Sequence, residues 1–247
     1  MTKLSSLSFL IPAYNDEATI GQVIREAVAV GKRVARKFEI VVVNDGSRDM
    51  TGWHLVTFAR VSDGTRLRVI THRTNQGYGK TIKELYYAGK YEWLFTIPGD
   101  YQVGARELVK LINSYNGTMS SPRRRGSSLK KMDSPDMILG WRVKRNDPVK
   151  RLLFSWIYNT LLRVLFGIKL HDVNSVRLMR RSLLQDITLT STSAFVDAEL
   201  VIGVKRIGYT VTEVPISHRA RTDGAPGGGN QWGTMVATVG EMVRFFL

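Results

Sequence analysis

Leu94-Phe95-Thr96-Ile97-Pro98-Gly99-Asp100-Tyr101-Gln102 is an apolar run that stops abruptly at a glycine, a carboxylate and an amide. Read as a buried strand, it delivers Asp100 and Gln102 to its carboxyl end, where open α/β sheets hold ligands. Both side chains offer hard oxygen atoms of the kind that bind Mg²⁺ or Mn²⁺ when phosphates and water supply the other ligands. Pro, Gly and Asp are also common turn residues, so a strand that merely ends in a turn is an equal reading of this stretch alone.

Working outward, the same grammar repeats. Toward the N-terminus, residues 7–11, 39–43 and 67–70 are short apolar runs that read as strands, and residues 92–97 make a fourth. Ile20, Val23, Ile24, Ala27 and Val28 recur at helical spacing within 17–30, and further helices are predicted over 53–60 and 81–88. Small polar residues follow the strands: Pro12-Ala13-Tyr14-Asn15-Asp16, Asn44-Asp45-Gly46-Ser47 and Asn75-Gln76-Gly77-Tyr78-Gly79-Lys80. In the last, two glycines would let backbone amides approach a ligand as they open a helix. Strand and helix in alternation predict an α/β fold, a doubly wound, mostly parallel sheet with helices on both faces.

Toward the C-terminus a helix is predicted over 106–115. A mobile surface loop over 116–135, with Arg123-Arg124-Arg125, and a strand at 137–140 that ends at Trp141-Arg142 follow. Residues 148–170 are strongly apolar, yet Arg151, Ser155 and Asn159 share one polar stripe at i, i+4, i+8. The apolar residues around that stripe exceed what one core-facing side needs. The excess fits a helix lying in a membrane interface, and equally a helix buried on most sides by its own protein. Then come the turn His171-Asp172-Val173-Asn174-Ser175, a strand at 176–179, a helix opening at Phe195-Val196-Asp197-Ala198-Glu199, and a strand at 209–216. A basic and then glycine-rich segment runs from Arg219 to Gly229, and Trp232, Met235, Val236, Val239, Met242, Val243 and Phe246 trace one face of a last helix. We divide the chain into a domain over 1–229 and a C-terminal amphipathic helix over 230–247.

With 247 residues, 43% of them hydrophobic, the chain has the material for a normal core. It contains no cysteine, which excludes disulfides and thiolate metal sites, and its first residues run straight into a strand pattern. A cytoplasmic setting is expected, and the Asn116-Gly117-Thr118 sequon reads as accidental. A formal net charge of +15 calls for an anionic partner: nucleic acid, an anionic membrane surface or a phosphorylated substrate. Between Arg123 and Arg151 ten Lys and Arg stand against three Asp, so nearly half the excess sits in one segment. Nucleic acid is disfavoured, because no stacking aromatics interleave with the basic run and no reading helix is recognisable. The four histidines are scattered and suggest no metal site.

In order, Pro12-Ala13-Tyr14-Asn15-Asp16, Val43-Asn44-Asp45-Gly46-Ser47, Asn75-Gln76-Gly77-Tyr78-Gly79, Gly99-Asp100-Tyr101-Gln102, Gly140-Trp141-Arg142 and His218-Arg219-Ala220-Arg221 resemble a family 2 glycosyltransferase of the GT-A fold. The likeness spans residues 8–225 and is strongest to the dolichol-phosphate mannose synthase group, which loads a sugar onto a polyprenyl phosphate. It implies that Pro12, Tyr14, Asp16 and Asp45 hold the base and ribose of a nucleoside-diphosphate sugar, with Gly99 beside them. It implies a divalent cation, Mg²⁺ or Mn²⁺, at Asp100 and Gln102, where Pro98 replaces the first aspartate of the family's Asp-x-Asp. Arg142, Arg151 and Ser155 are the implied ligands of the acceptor phosphate, and Arg221 of the donor diphosphate. Asp16 stands where a glutamate is usual, and Pro226-Gly227 where a Ser-Lys is usual. The Asp172-Val173-Asn174-Ser175 turn also matches the family, and Asp197-Ala198-Glu199 resembles the subgroup's aspartate-x-glutamate.

The expected activity is therefore sugar transfer with inversion from a UDP- or GDP-linked donor to a polyprenyl phosphate. Such an acceptor is already anionic and needs no general base. A sugar-hydroxyl acceptor would need one, with Asp197 or Glu199 the candidates. A relative that binds nucleotide sugar without turnover is the alternative that Pro98 and the missing Ser-Lys suggest. The apolar 148–170 segment, the last helix and the basic surplus predict peripheral attachment to an anionic cytoplasmic membrane face.

Overall fold

A computed structural model describes residues 3–61, 66–120, 135–143, 149–220 and 232–247. Strands β1 (Leu4–Ala13), β2 (Ala35–Asn44), β3 (Arg66–Thr71), β4 (Trp93–Thr96), β5 (Met137–Arg142), β6 (Arg177–Arg180) and β7 (Val211–Ile216) form one sheet in the order β3-β2-β1-β4-β6-β5-β7. Helices α1 (Ile20–Val34), α2 (Thr51–Val61), α3 (Tyr78–Ala88), α4 (Glu107–Ser120), α5 (Val149–Phe166), α6 (Leu183–Asp186), α7 (Val196–Arg206) and α8 (Trp232–Phe246) complete it.

The central strands are apolar on both sides because both sides are covered. Phe9, Ile11, Ile40, Val42 and Phe95 point to a core shared with Ile20, Val23, Ile24 and Ala27 of α1 and Leu108, Leu111 and Ile112 of α4. Their sequence neighbours Leu10, Val41, Val43 and Leu94 point the other way, onto Ile82 and Leu85 of α3 and Val196, Leu200 and Val201 of α7. That alternation is the two-residue period of a strand, and it holds a one-residue slip in check because every slip would exchange the two cores. The predicted elements all occur, most of them longer. The predicted 106–115 helix runs to Ser120, and the predicted 81–88 helix begins three residues earlier, at Tyr78. Residues 121–134 of the predicted surface loop lie outside the described residues.

Sheet polarity places the site. β1, β2, β3 and β4 are mutually parallel and β5 pairs in parallel with β7, but β6 is antiparallel to both β4 and β5. The start of β6 therefore reaches the edge where its neighbours end. The turn 171–175 is thus inserted between the residues after β4 and those after β5, a consequence of strand direction that an apolar run alone does not carry.

Candidate active site

A cleft of about 650 Å³ runs along this edge, and Pro12, Tyr14, Asp16, Asp45, Gly99, Asp100, Gln102, Arg142 and Ser155 all line it. Arg151 lies on α5 with its side chain outside the described residues, and Arg221 lies outside them altogether.

After β1 the chain turns at Asn15, which sits in the left-handed region at φ 54°. Asp16 closes this turn. Its Oδ2 accepts from the Tyr14 amide at 3.0 Å, and its backbone carbonyl accepts the amides of Thr19 and Ile20, at 3.0 and 2.8 Å, to start α1. The same carboxylate abuts Gly99, where a Cβ would stand 2.5 Å from Asp16 Oδ2, so a glycine is required if the turns after β1 and β4 are to meet. After β4, Asp100 Oδ1 accepts the Gln102 amide at 3.0 Å across Tyr101, itself left-handed at φ 57°. Asp100 and Gln102 face the cleft, while the Tyr101 ring packs on the core beneath the Arg219 guanidinium, 4.2 Å away. The Arg219 amide donates to the Gln102 carbonyl at 2.8 Å. The segment leading to Arg221 thus departs from beside Gln102.

Asp45, at the end of β2 in the cleft wall, also fastens a neighbouring loop. Its Oδ1 accepts the Gln76 amide at 2.7 Å and its Oδ2 the Gly77 amide at 3.0 Å. The backbone amides expected to cradle a ligand are instead spent on a side chain of the protein. His72 adds a third contact, Nδ1 to Asp45 Oδ1 at 2.7 Å, and its Nε2 meets Glu84 Oε2 at 2.6 Å. Burial would lower the His72 pKa, but the hydrogen bonds to Asp45 and Glu84 outweigh it and the value is raised. Gly79 is also explained by packing: a Cβ there would lie 2.2 Å from the carbonyl oxygens of Thr192 and Ser193. That contact extends to the C-terminal helix, because Glu241 of α8 accepts from the amides and hydroxyls of Thr192 and Ser193 at 2.6–3.2 Å.

On the far side of Asp100, Arg142 is held by Asp172, with Nε to Oδ2 at 2.6 Å and Nη2 to Oδ1 at 2.8 Å. This two-pronged pair is largely buried, with side-chain exposures of 15% and 5%. Behind the cleft lies a second pair, Arg177 Nη2 to Asp197 Oδ2 at 3.0 Å, with both side chains at most 1% exposed. The hydroxyls of Tyr78 and Tyr86 donate to the two oxygens of Asp197 at 2.8 and 3.1 Å. Burial pushes the Tyr86 phenol well above its ordinary pKa, with the Asp197 charge adding to it. Asp197, which lines the cleft, thus holds three contacts, and Glu199, 1% exposed, accepts from Thr190 and Ser191 at 2.7–2.9 Å. Beyond Arg142 the lining comes from α5 and α8 and mixes apolar Phe154, Ile157, Leu161, Met235 and Val239 with polar Ser155, Asn159, Thr234 and Thr238.

A family model described as glycosyl transferase family 2 matches residues 8–188. The chain belongs to that family. Among characterised members it resembles dodecaprenyl-phosphate galacturonate synthase of Rhizobium johnstonii, with 26% identity over 225 residues, 88% of this chain and 60% of that protein. Undecaprenyl-phosphate 4-deoxy-4-formamido-L-arabinose transferase of Pseudomonas aeruginosa is 26% identical over 180 residues, 72% of this chain and 48% of its own. This family 2 chain thus spans 60% or less of the length of these two relatives. The fold matches glucosyl-3-phosphoglycerate synthase from Mycobacterium tuberculosis, solved with Mn²⁺, UDP and phosphoglyceric acid, at a TM-score of 0.68 and 16% identity over 98% of this chain and 78% of that one. The architecture is that of the GT-A glycosyltransferases, as the sequence resemblance implied.

The residues that sequence reasoning missed are the partners. His72, Glu84, Tyr86 and Arg177 carried no motif, and Asp172 was read only as part of a turn. The one available signal was an arginine inside the apolar run of β6, Val176-Arg177-Leu178-Met179, since a charge there requires a buried counter-charge.

Proposed function

We propose that this chain transfers a sugar from a nucleoside-diphosphate donor to a polyprenyl phosphate, with inversion, at a membrane surface. The observation that carries this reading is the course of the cleft. It begins among the carboxylates and turns of β1, β2 and β4, passes Arg142, and ends between α5 and α8, where Phe154, Ile157, Leu161, Met235 and Val239 add apolar surface to the lining. A polar nucleotide suits the first end, and a lipid tail with a phosphate head suits the second. The engagement of Asp197 by Arg177, Tyr78 and Tyr86 and of Glu199 by Thr190 and Ser191 supports an acceptor that arrives already deprotonated. In the displacement, a phosphate oxygen forms a bond to the anomeric carbon as the bond from that carbon to the diphosphate oxygen breaks.

Pro12, Tyr14 and Asp16 would hold the nucleoside, with Asp45 acting through the 75–77 loop that it fastens. Arg221, on the segment leaving Gln102, would meet the diphosphate. Ser155, in the cleft wall on α5, and Arg151 and Arg142 would receive the acceptor phosphate, with Asp172 fixing the plane of the Arg142 guanidinium. Asp100 and Gln102 fit a hard cation such as Mg²⁺ or Mn²⁺, whose positive charge would stabilise the departing diphosphate. Among the described residues no group of three or more His, Cys, Asp or Glu is arranged around a metal, so diphosphate and water would complete that shell.

A membrane surface fits the outer face of the same two helices. Trp156 and Val164 of α5 and Val236, Val243 and Phe246 of α8 are exposed, at 43–74%. Arg163, Lys169 and Arg244 are exposed around them. Among the described residues no helix is long and apolar enough to cross a membrane, so these helices would lie on the surface.

The test is a donor screen with UDP- and GDP-sugars, Mg²⁺ or Mn²⁺ and a short polyprenyl phosphate, reading released nucleoside diphosphate. Release that needs both lipid phosphate and metal is expected. Donor binding without release from any pair would overturn transfer to a lipid phosphate and leave a binding relative.

A further inference from the structure

Three buried hydroxyls in the cleft wall, those of Thr81, Tyr158 and Ser175, have no hydrogen-bond partner among the described residues; Tyr158 lies on α5, and the other two flank the middle of the cleft. Thr81 on α3 is 1% exposed and Ser175, just before β6, is 8% exposed. The hydroxyl of each has no hydrogen-bond partner among the described residues, yet both residues line the cleft. Leaving a buried hydroxyl unpaired is costly, and a helical threonine has a cheap local remedy in the carbonyl four residues back. Thr57, Thr160 and Thr238 in α2, α5 and α8 all take it, at 3.0, 2.8 and 2.7 Å. Thr81 does not.

Position says what these hydroxyls face. Ser175 lies where β6 enters the sheet edge, between the Asp100 turn after β4 and Arg142 at the end of β5. If Asp100 marks the diphosphate and Arg142 the acceptor phosphate, the sugar being transferred must sit between them. Thr81 is three residues beyond Tyr78 on α3, hence on the same helix face, and the Tyr78 hydroxyl is bound to Asp197. In this stretch Asp172 is engaged by Arg142, and Asp197 by Arg177, Tyr78 and Tyr86. The Thr81 and Ser175 hydroxyls, by contrast, are not engaged by any of the described residues.

We propose that the Thr81 and Ser175 hydroxyls bind the hydroxyl groups of the transferred sugar and so determine which sugar this enzyme accepts. The inference rests on the donor-site reading above. A group built to pair with a substrate hydroxyl discriminates strongly against a donor that lacks or inverts it, because the protein hydroxyl is then left buried and unpaired.

The experiment titrates the full chain, in Mn²⁺, with UDP, UDP-glucose, GDP and GDP-mannose, comparing wild type with Thr81→Val, Thr81→Ser and Ser175→Ala. For whichever base binds, Thr81→Val and Ser175→Ala are expected to raise the Kd of the sugar nucleotide about tenfold, while the Kd of the bare diphosphate stays within about twofold. Thr81→Ser keeps a hydroxyl and is expected to retain wild-type affinity. Equal effects on diphosphate and sugar nucleotide, or no effect on either, would overturn the proposal while leaving the nucleotide site intact. A wild type that binds no nucleotide would overturn the donor-site reading itself, and this inference with it. Thermal melting of each variant checks the fold, and Thr81→Val, which removes an unpaired buried hydroxyl, is expected to melt no lower than wild type.

Discussion

The two ends of the cleft are built on opposite principles. At the end proposed for the nucleotide, around β1, β2 and β4, short polar side chains are locked by backbone amides: Asp16 to Tyr14, Asp45 to Gln76 and Gly77, Asp100 to Gln102. At the other end, between α5 and α8, large apolar side chains enter the lining, as Phe154 and Met235 do beside Ser155 and Thr238, and stand on the surface, as Val164 does at 74% exposure. A soluble, highly charged ligand demands preorganised dipoles. A lipid acceptor demands only a dry passage and a surface that tolerates a bilayer. Between the two ends stand the buried Arg142–Asp172 and Arg177–Asp197 pairs, which hold the chemistry's walls without exposing a free base.

Mutation can break this contrast at its strongest point first. Arg177→Met strands the Asp197 carboxylate in the core, and a loss of about 3–5 kcal/mol in urea unfolding is expected. Adding Asp197→Leu should recover much of it, and a double variant no better than the single would show that the pair is not the unit. Next, Asp100→Ala is expected to slow nucleoside diphosphate release by roughly 10²–10³-fold with little change in melting temperature. Activity surviving that change would place the diphosphate elsewhere.

At the other end, Val236→Asp with Val243→Asp should weaken flotation with anionic vesicles by roughly tenfold and leave nucleotide binding alone. Flotation indifferent to both changes would take α8 out of the interface.

The smallest effect sharpens the nucleotide end. The His72 pKa is raised above 6.5 in the folded chain, so its stabilising contribution is fully present below about pH 6.5 and is lost as pH rises through the folded value. Wild type should therefore melt roughly 2–4 °C lower at pH 8.5 than at pH 6, and His72→Gln should flatten that slope. An unchanged slope in the variant would mean that the Asp45–His72–Glu84 chain carries no proton.

Much of this was legible in the order of residues. Apolar runs ending in Pro, Gly, Asn and Asp specify the α/β alternation, because strands buried on both faces leave polar residues only at their ends. Those ends carry Tyr14, Asp16, Asp45, Asp100 and Gln102, which the resemblance to the glycosyltransferase family marked as candidate donor-site residues. The composition also carried the basic excess, and the helical spacing carried the apolar face of α8. What remained hidden was decided by direction and distance. The polarity of β6 brings Ser175 between Asp100 and Arg142, yet an apolar run reads the same in either direction. Asp45 uses the amides of Gln76 and Gly77, and Gly79 yields to Thr192 and Ser193, because these contacts join residues 31 to more than 100 positions apart. Periodicity is a local property, whereas the pairing of a buried charge or the idleness of a buried hydroxyl is settled only when the elements pack.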